Sequence, residues 1–137
     1  QGFEFNIGGK LNATLYAPFV PTIDRVSGEL TIAIAPFVPA TMIVAPSGTT
    51  HFKIISGGAE IDFEAETFVS SISETAILPL DMNPTVAIDH LNMVTPNSTK
   101  PLFLALGVAF YQGVNGRMYP LKNGSYNPLS LVKVSGL

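Results

Sequence analysis

Four carboxylates at alternate positions, Glu60, Asp62, Glu64 and Glu66, form the densest group of chemically capable side chains in the chain. On an extended strand this spacing puts all four on one face, with neighbours about 7 Å apart, whereas a calcium ion needs oxygen ligands converging from loops. With Lys53 and His51 expected opposite, the ladder reads as a solvated, charge-matched face rather than a calcium site. Nothing marks two of the four as the acid and base of glycoside hydrolysis. The histidines are His51 and His90. Neither has a metal-ligand spacing, and the Asp89-His90 dipeptide sends its two side chains to opposite faces of a strand. There is no cysteine, nucleophile elbow, phosphate loop or dinucleotide fingerprint, so no catalytic residue, metal site or cofactor is assigned and an enzyme is not expected. Aromatic stacking on a sugar is the remaining chemistry. The chain has no Trp, and Tyr111, Tyr119 and Tyr126 cluster in its C-terminal third, so these three are the candidate ligand or partner contacts. Their plain alternative is packing with the hydroxyl at the surface. The sequons at Asn12, Asn97 and Asn123 matter only in a glycosylating host.

These side chains must be positioned by one domain, because 137 residues fit a single core of ordinary size. Charged residues are 12% of the chain, about half the usual share, while 47% is hydrophobic. Such a surface is covered either by Thr, Ser and Asn or by other copies and partners. The net charge of −3, with seven scattered Lys and Arg, excludes a basic footprint for nucleic acid. The longest apolar run, Leu102 to Tyr111, is too short to cross a bilayer as a helix. The chain opens on Gln1 and reads as a processed product or as the C-terminal part of a longer protein.

Eleven prolines and twelve glycines punctuate segments of period-2 alternation, which predicts an all-β fold with little or no helix: an antiparallel β-sandwich of immunoglobulin-like or jelly-roll-like type. A first hairpin is expected around Gly8-Gly9-Lys10, pairing Phe5 with Ala13. A second turns through Asp24 to Gly28 into Leu30, Ile32 and Ile34. The repeated segments Ala17-Pro18-Phe19-Val20-Pro21 and Ala35-Pro36-Phe37-Val38-Pro39 read as edge or crossover pieces, since proline cannot donate to a ladder, with their Phe and Val docked in the core. A third hairpin is expected to turn at Gly57-Gly58, setting Ile54 against Ile61, Phe52 against Phe63, Lys53 against Asp62 and His51 against Glu64. Short strands follow on either side of Asp81-Met82-Asn83-Pro84. Leu102 to Tyr111, apolar on both faces, belongs in the centre with cover on both sides. Asn115-Gly116 predicts a type I′ turn placing Gln112 opposite Tyr119 and Phe110 opposite Leu121, and a further turn at Asn123-Gly124 leads to a last strand near Leu129 to Val134, making a meander.

The stretch Gly2-Phe3-Glu4-Phe5-Asn6, the segment Ala45 to Lys53 and the tail from Phe110-Tyr111-Gln112-Gly113 through Asn123-Gly124 to Val134 resemble a family of uncharacterised hypothetical proteins, chiefly from Bacteroidetes. The resemblance covers most of the chain, implies a basic N-terminal region in front of this domain, and brings no catalytic residues. The function expected from residues and resemblance together is a non-enzymatic structural subunit, of a surface or filamentous assembly, self-associating or binding another protein through β-edges and apolar surface. A glycan- or ligand-binding module is the alternative. The compartment stays open, with an extracellular or cell-surface setting favoured.

Overall fold

The computed structural model describes residues 15 to 121 and 129 to 136. Among the described residues nine strands and one turn of helix follow one another: β1 (Phe19–Asp24), β2 (Glu29–Ile34), α1 (Pro39–Met42), β3 (His51–Asp62), β4 (Thr67–Glu74), β5 (Leu78–Pro79), β6 (Ile88–Met93), β7 (Leu102–Val114), β8 (Arg117–Pro120) and β9 (Leu129–Ser135). They form an antiparallel sandwich. One sheet has the order β1-β2-β6; the other runs β4-β3-β7-β8, with β5 on β3 and β9 on β7. The hairpin at Gly8-Gly9 and the turn at Asn123-Gly124 lie outside the described residues, as does Tyr126.

The alternation in the sequence decides which side chains meet. In β2 Leu30, Ile32 and Ile34 face the second sheet, where Phe52 and Ile54 of β3 and Leu102, Leu104, Leu106, Val108 and Phe110 of β7 are buried against them. Phe37, from the second Ala-Pro-Phe-Val-Pro segment, closes one end of this core with its ring tilted on that of Phe52 at 6.3 Å between centroids. The first copy begins β1, an edge strand that accommodates Pro21, as a strand with one free side can. Its Val20 is exposed, so only the phenylalanines of the two copies, with Phe19 partly buried, join the core.

Two turns form as their residues demand. Gly28 closes β1 to β2 with φ of 77°, and Asn115 and Gly116, at φ of 52° and 80°, make the tight hairpin that sets Gln112 opposite Tyr119. Leu121 N–H donates to the Phe110 carbonyl, as that register requires.

The hairpin at Gly57-Gly58 does not exist. β3 runs straight through both glycines, and the chain turns instead at residues 63 to 66, where the Asp62 carboxylate accepts from the Glu64 and Ala65 amides and Glu66 takes φ of 57°. β3 therefore pairs Gly57 with Ile72 and Ile61 with Phe68, and none of the four cross-strand pairs expected around a glycine turn forms. Packing is the reason for the second glycine. A Cβ on Gly58 would stand 3.0 Å from Leu30 Cδ2 and 3.2 Å from Asn92 Cβ, so the missing side chain lets the two sheets approach. The C-terminal meander is also corrected. β9 does not lie beside β8 but returns to β7, pairing Ala105 with Leu131 and Phe103 with Val134.

Candidate functional site

The side of the six-stranded sheet turned away from the core is the most unusual surface of the molecule. In β3 the buried residues are Phe52, Ile54, Ser56 and Gly58, so Ile55, Gly57, Ala59 and Ile61 point outward. The registers extend that face: Phe68, Ser70 and Ile72 on β4, Phe103 and Ala105 on β7, Leu131 and Val134 on β9. No ionisable side chain is among them. Phe68 and Ile72 are each 72% exposed, although burying either would be worth roughly 1.5–3 kcal/mol. Between these projecting residues Gly57, Ala59, Ser70 and Ala105 leave a groove of about 260 Å³ with an almost wholly apolar lining. Among the described residues, cover on Leu102 to Tyr111 is seen on the core side. Leu102, Leu104, Leu106, Val108 and Phe110 are fully buried, while Phe103, Ala105 and Ala109 on the outer side are half-buried.

Charge is kept to the ends of this face. Lys53 pairs with Glu74 at 3.0 Å and lies 5.6 Å from the centre of the Tyr111 ring. The hydrogen bond with Tyr111 and then that with Glu74 hold the Lys53 ammonium above its ordinary range. The acidic ladder is dispersed. Glu60, at the far end of β3, accepts from the Thr95 amide at 3.0 Å, and Asp62 faces Lys100 at 3.4 Å, while Glu64 and Glu66 belong to the turn. Burial raises the Glu60 carboxyl, but the bonds from Thr95 and Ser98 and the charge of Lys100 outweigh it and leave the group below its ordinary value. Among the described residues no three acidic or histidine side chains converge on a metal position.

Tyr111 and Tyr119 are not brought together. Tyr111 on β7 pairs with Pro120 and faces the outer side, half-buried beneath Lys53, whereas Tyr119 on β8 pairs with Gln112 and faces the other side of the ribbon. Two rings on opposite faces cannot stack one sugar chain. Among the described residues no helix is long and apolar enough to cross a membrane.

A serine–histidine contact lies between the sheets, and the sequence did not signal it. Ser56 Oγ and His90 Nδ1 are 2.7 Å apart, the Asn92 amide donates to Ser56 Oγ at 2.9 Å, and the Ser73 and Ser71 hydroxyls donate to Asn92 Oδ1 at 3.1 and 3.3 Å. Ser56 Oγ thus accepts from Asn92 and makes a second hydrogen bond with His90 Nδ1, whose donor is set by the imidazole tautomer, while His90 Nε2 is buried and has no partner among the described residues. Ser56 is fully buried and Asp89 points away on the exposed side of β6, so the group joins β3, β4 and β6 and offers no nucleophile to solvent.

The neutral group carries a pH signature. Burial pushes His90 below its ordinary value of 6.5, and Ser56 and Asn92, which face it, bear no charge. The unfolded chain therefore binds a proton that the folded chain resists. Stability present above pH 6.5 is lost as pH falls toward the depressed value, with a slope of at most about 1.4 kcal/mol per pH unit. Urea unfolding from pH 7.5 to 5 should show this slope in the wild type and lose it in His90→Gln; equal slopes in the two proteins would refute the assignment.

No protein-family model and no curated protein matches the chain. Among solved structures it is similar to the reeler domain of human F-spondin at 11% identity, with 88% of this chain and 92% of that chain aligned and a TM-score of 0.26.

Proposed function

We propose that this domain is a non-enzymatic structural subunit that assembles by apposing the outer face of its six-stranded sheet to the same face of another copy. The supporting observation is the uncharged patch on which Phe68 and Ile72 stand 72% exposed beside a groove floored by Gly57, Ala59 and Ala105. Knob and hollow occupy one surface. A copy turned about a two-fold axis can therefore place its Ile72 in the groove and receive Ile72 of the first in return, which is the self-complementarity of an isologous contact. Four strands spaced about 4.8 Å, over some 20 Å of their length, give a patch of about 400 Å² per copy, the low end for specific association. Assembly through this face alone is expected to be weak and strongly dependent on concentration.

Sedimentation velocity between about 5 μM and 1 mM checks this. The wild type should show a rising weight-average mass, and Ile72→Lys, which buries a charge in the contact, should weaken association at least ten-fold without lowering stability, because residue 72 lies on the exposed side of an edge strand. A wild type that stays monomeric throughout, or a lysine variant that associates equally well, overturns the proposal.

A further inference from the structure

Resting on that reading, we infer that two copies first join edge to edge, β4 against β4, in an antiparallel register centred on Ser70. β4 is an outermost strand of the six-stranded sheet, and its free side carries neither proline nor lysine, the usual protections of an open edge. The direction of its amides follows from its neighbours. Thr75 N–H donates to the Ile54 carbonyl, and Ile54 stands one step beyond the Ile55–Glu74 pair, so the odd-numbered residues of β4 turn their backbone groups toward β3. Phe68, Ser70 and Ile72 consequently direct N–H and C=O groups off the edge, and those groups have no partner among the described residues.

The register is selected by the side chains. Centring on Ser70 places Phe68 opposite Ile72 of the second copy, and the reverse, on the same outer face, with each outward amide meeting a carbonyl. A slip of two residues one way sets Glu74 against Phe68, a carboxylate against an apolar side chain, and the other way carries Ile72 past the start of the strand at Thr67 and leaves it without a cross-strand partner. Glu66, in its left-handed conformation, also ends the strand before it could oppose Glu74. The pairing joins two outer faces into one continuous surface of about 800 Å² per dimer, which brings the stacked contact into the range of standard interfaces.

The chain has no cysteine, so a single introduced thiol reports the register directly. Ser70 is exposed, and in a hydrogen-bonded antiparallel pair the two Ser70 Cα atoms would lie about 5.5 Å apart, within disulfide range. In the same arrangement the two Glu74 Cα atoms would be about 27 Å apart. Under mild oxidation at a concentration where the wild type associates, Ser70→Cys should form a covalent dimer at least ten times faster than Glu74→Cys, with unchanged thermal unfolding of the reduced proteins confirming that both fold. If the wild type associates, Ile72→Lys disrupts it, and Ser70→Cys still cross-links no faster than Glu74→Cys, the edge register is wrong and the stacking face stands. A wild type monomeric at every concentration removes both.

Discussion

Replacing Gly28 by alanine is expected to cost about 3 kcal/mol of folding stability, seen as a fall in thermal midpoint of roughly 10 °C for a domain of this size. Two penalties act together. The first is conformational: φ of 77° at this position is left-handed, and a residue with a Cβ pays about 1–2 kcal/mol to hold it. The second is steric. The added Cβ would stand 2.5 Å from the Val94 carbonyl oxygen, 3.0 Å from Pro96 N and 3.1 Å from Thr95 C, all backbone atoms that no rotamer change can move. Those atoms are also fixed from the other side, because Val94 N–H donates to the Gly28 carbonyl at 2.9 Å and Asn97 N–H to the Arg25 carbonyl at 2.8 Å. Gly116→Ala is the matched control. Its φ is 80°, yet nothing lies within 4 Å of the added Cβ, so it pays the conformational penalty alone. Equal losses in the two variants would show that the contact with the end of β6 is not what demands glycine at position 28.

That comparison also marks where sequence was a reliable guide. Asn115-Gly116 and the turn ending at Gly28 were legible because a tight turn imposes its own backbone angles, and only certain residues meet them at low cost. Gly57-Gly58 carried the same local signal and misled, because a glycine that makes room for another sheet is indistinguishable in sequence from a glycine that turns the chain. Its requirement comes from Leu30 and Asn92, which are distant in sequence. The error propagated: with a turn placed there, Ser56 becomes the last residue before the turn instead of a mid-strand residue facing β6, and its contact with His90 stays hidden. The one available signal was the alternation Ile88, His90, Asn92, three buried positions of which two are polar, a pattern that asks for polar partners across the sheet. The apolar run at Leu102 to Tyr111 lies in the centre of its sheet, as its two apolar faces predict, and its inner residues are fully buried while the outer ones are half-buried. The low overall charge left either a Thr-, Ser- and Asn-rich surface or one shared with other copies and partners; which face is apolar depends on strand pairings that no local pattern encodes.

Arg25→Ala should cost about 3 kcal/mol, the loss expected when a partly buried guanidinium making several hydrogen bonds to carbonyl groups is removed. Arg25 sits in the first tight turn and reaches two segments far from it in sequence. Nη1 donates to the Ser98 and Lys100 carbonyls at 2.9 and 2.7 Å, and Nη2 to the carbonyl and hydroxyl of Ser135, both at 2.9 Å. One planar fork thus ties the β1–β2 turn, the loop before β7 and the end of β9, the strand that pairs with β7 at the margin of its sheet. All these acceptors are neutral. The contribution should accordingly be almost indifferent to salt, since none of these acceptors carries a charge to be screened, and urea unfolding of wild type and variant in 0.05 M and 0.5 M sodium chloride should give the same difference. Arg25→Lys should recover less than half of it, because one ammonium cannot reach both pairs of acceptors. Amide exchange in β9 should accelerate more than in β3 in both variants, as the strand that loses its anchor opens first. A loss below about 1 kcal/mol, or one that disappears at the higher salt, would mean that β9 is held by β7 alone.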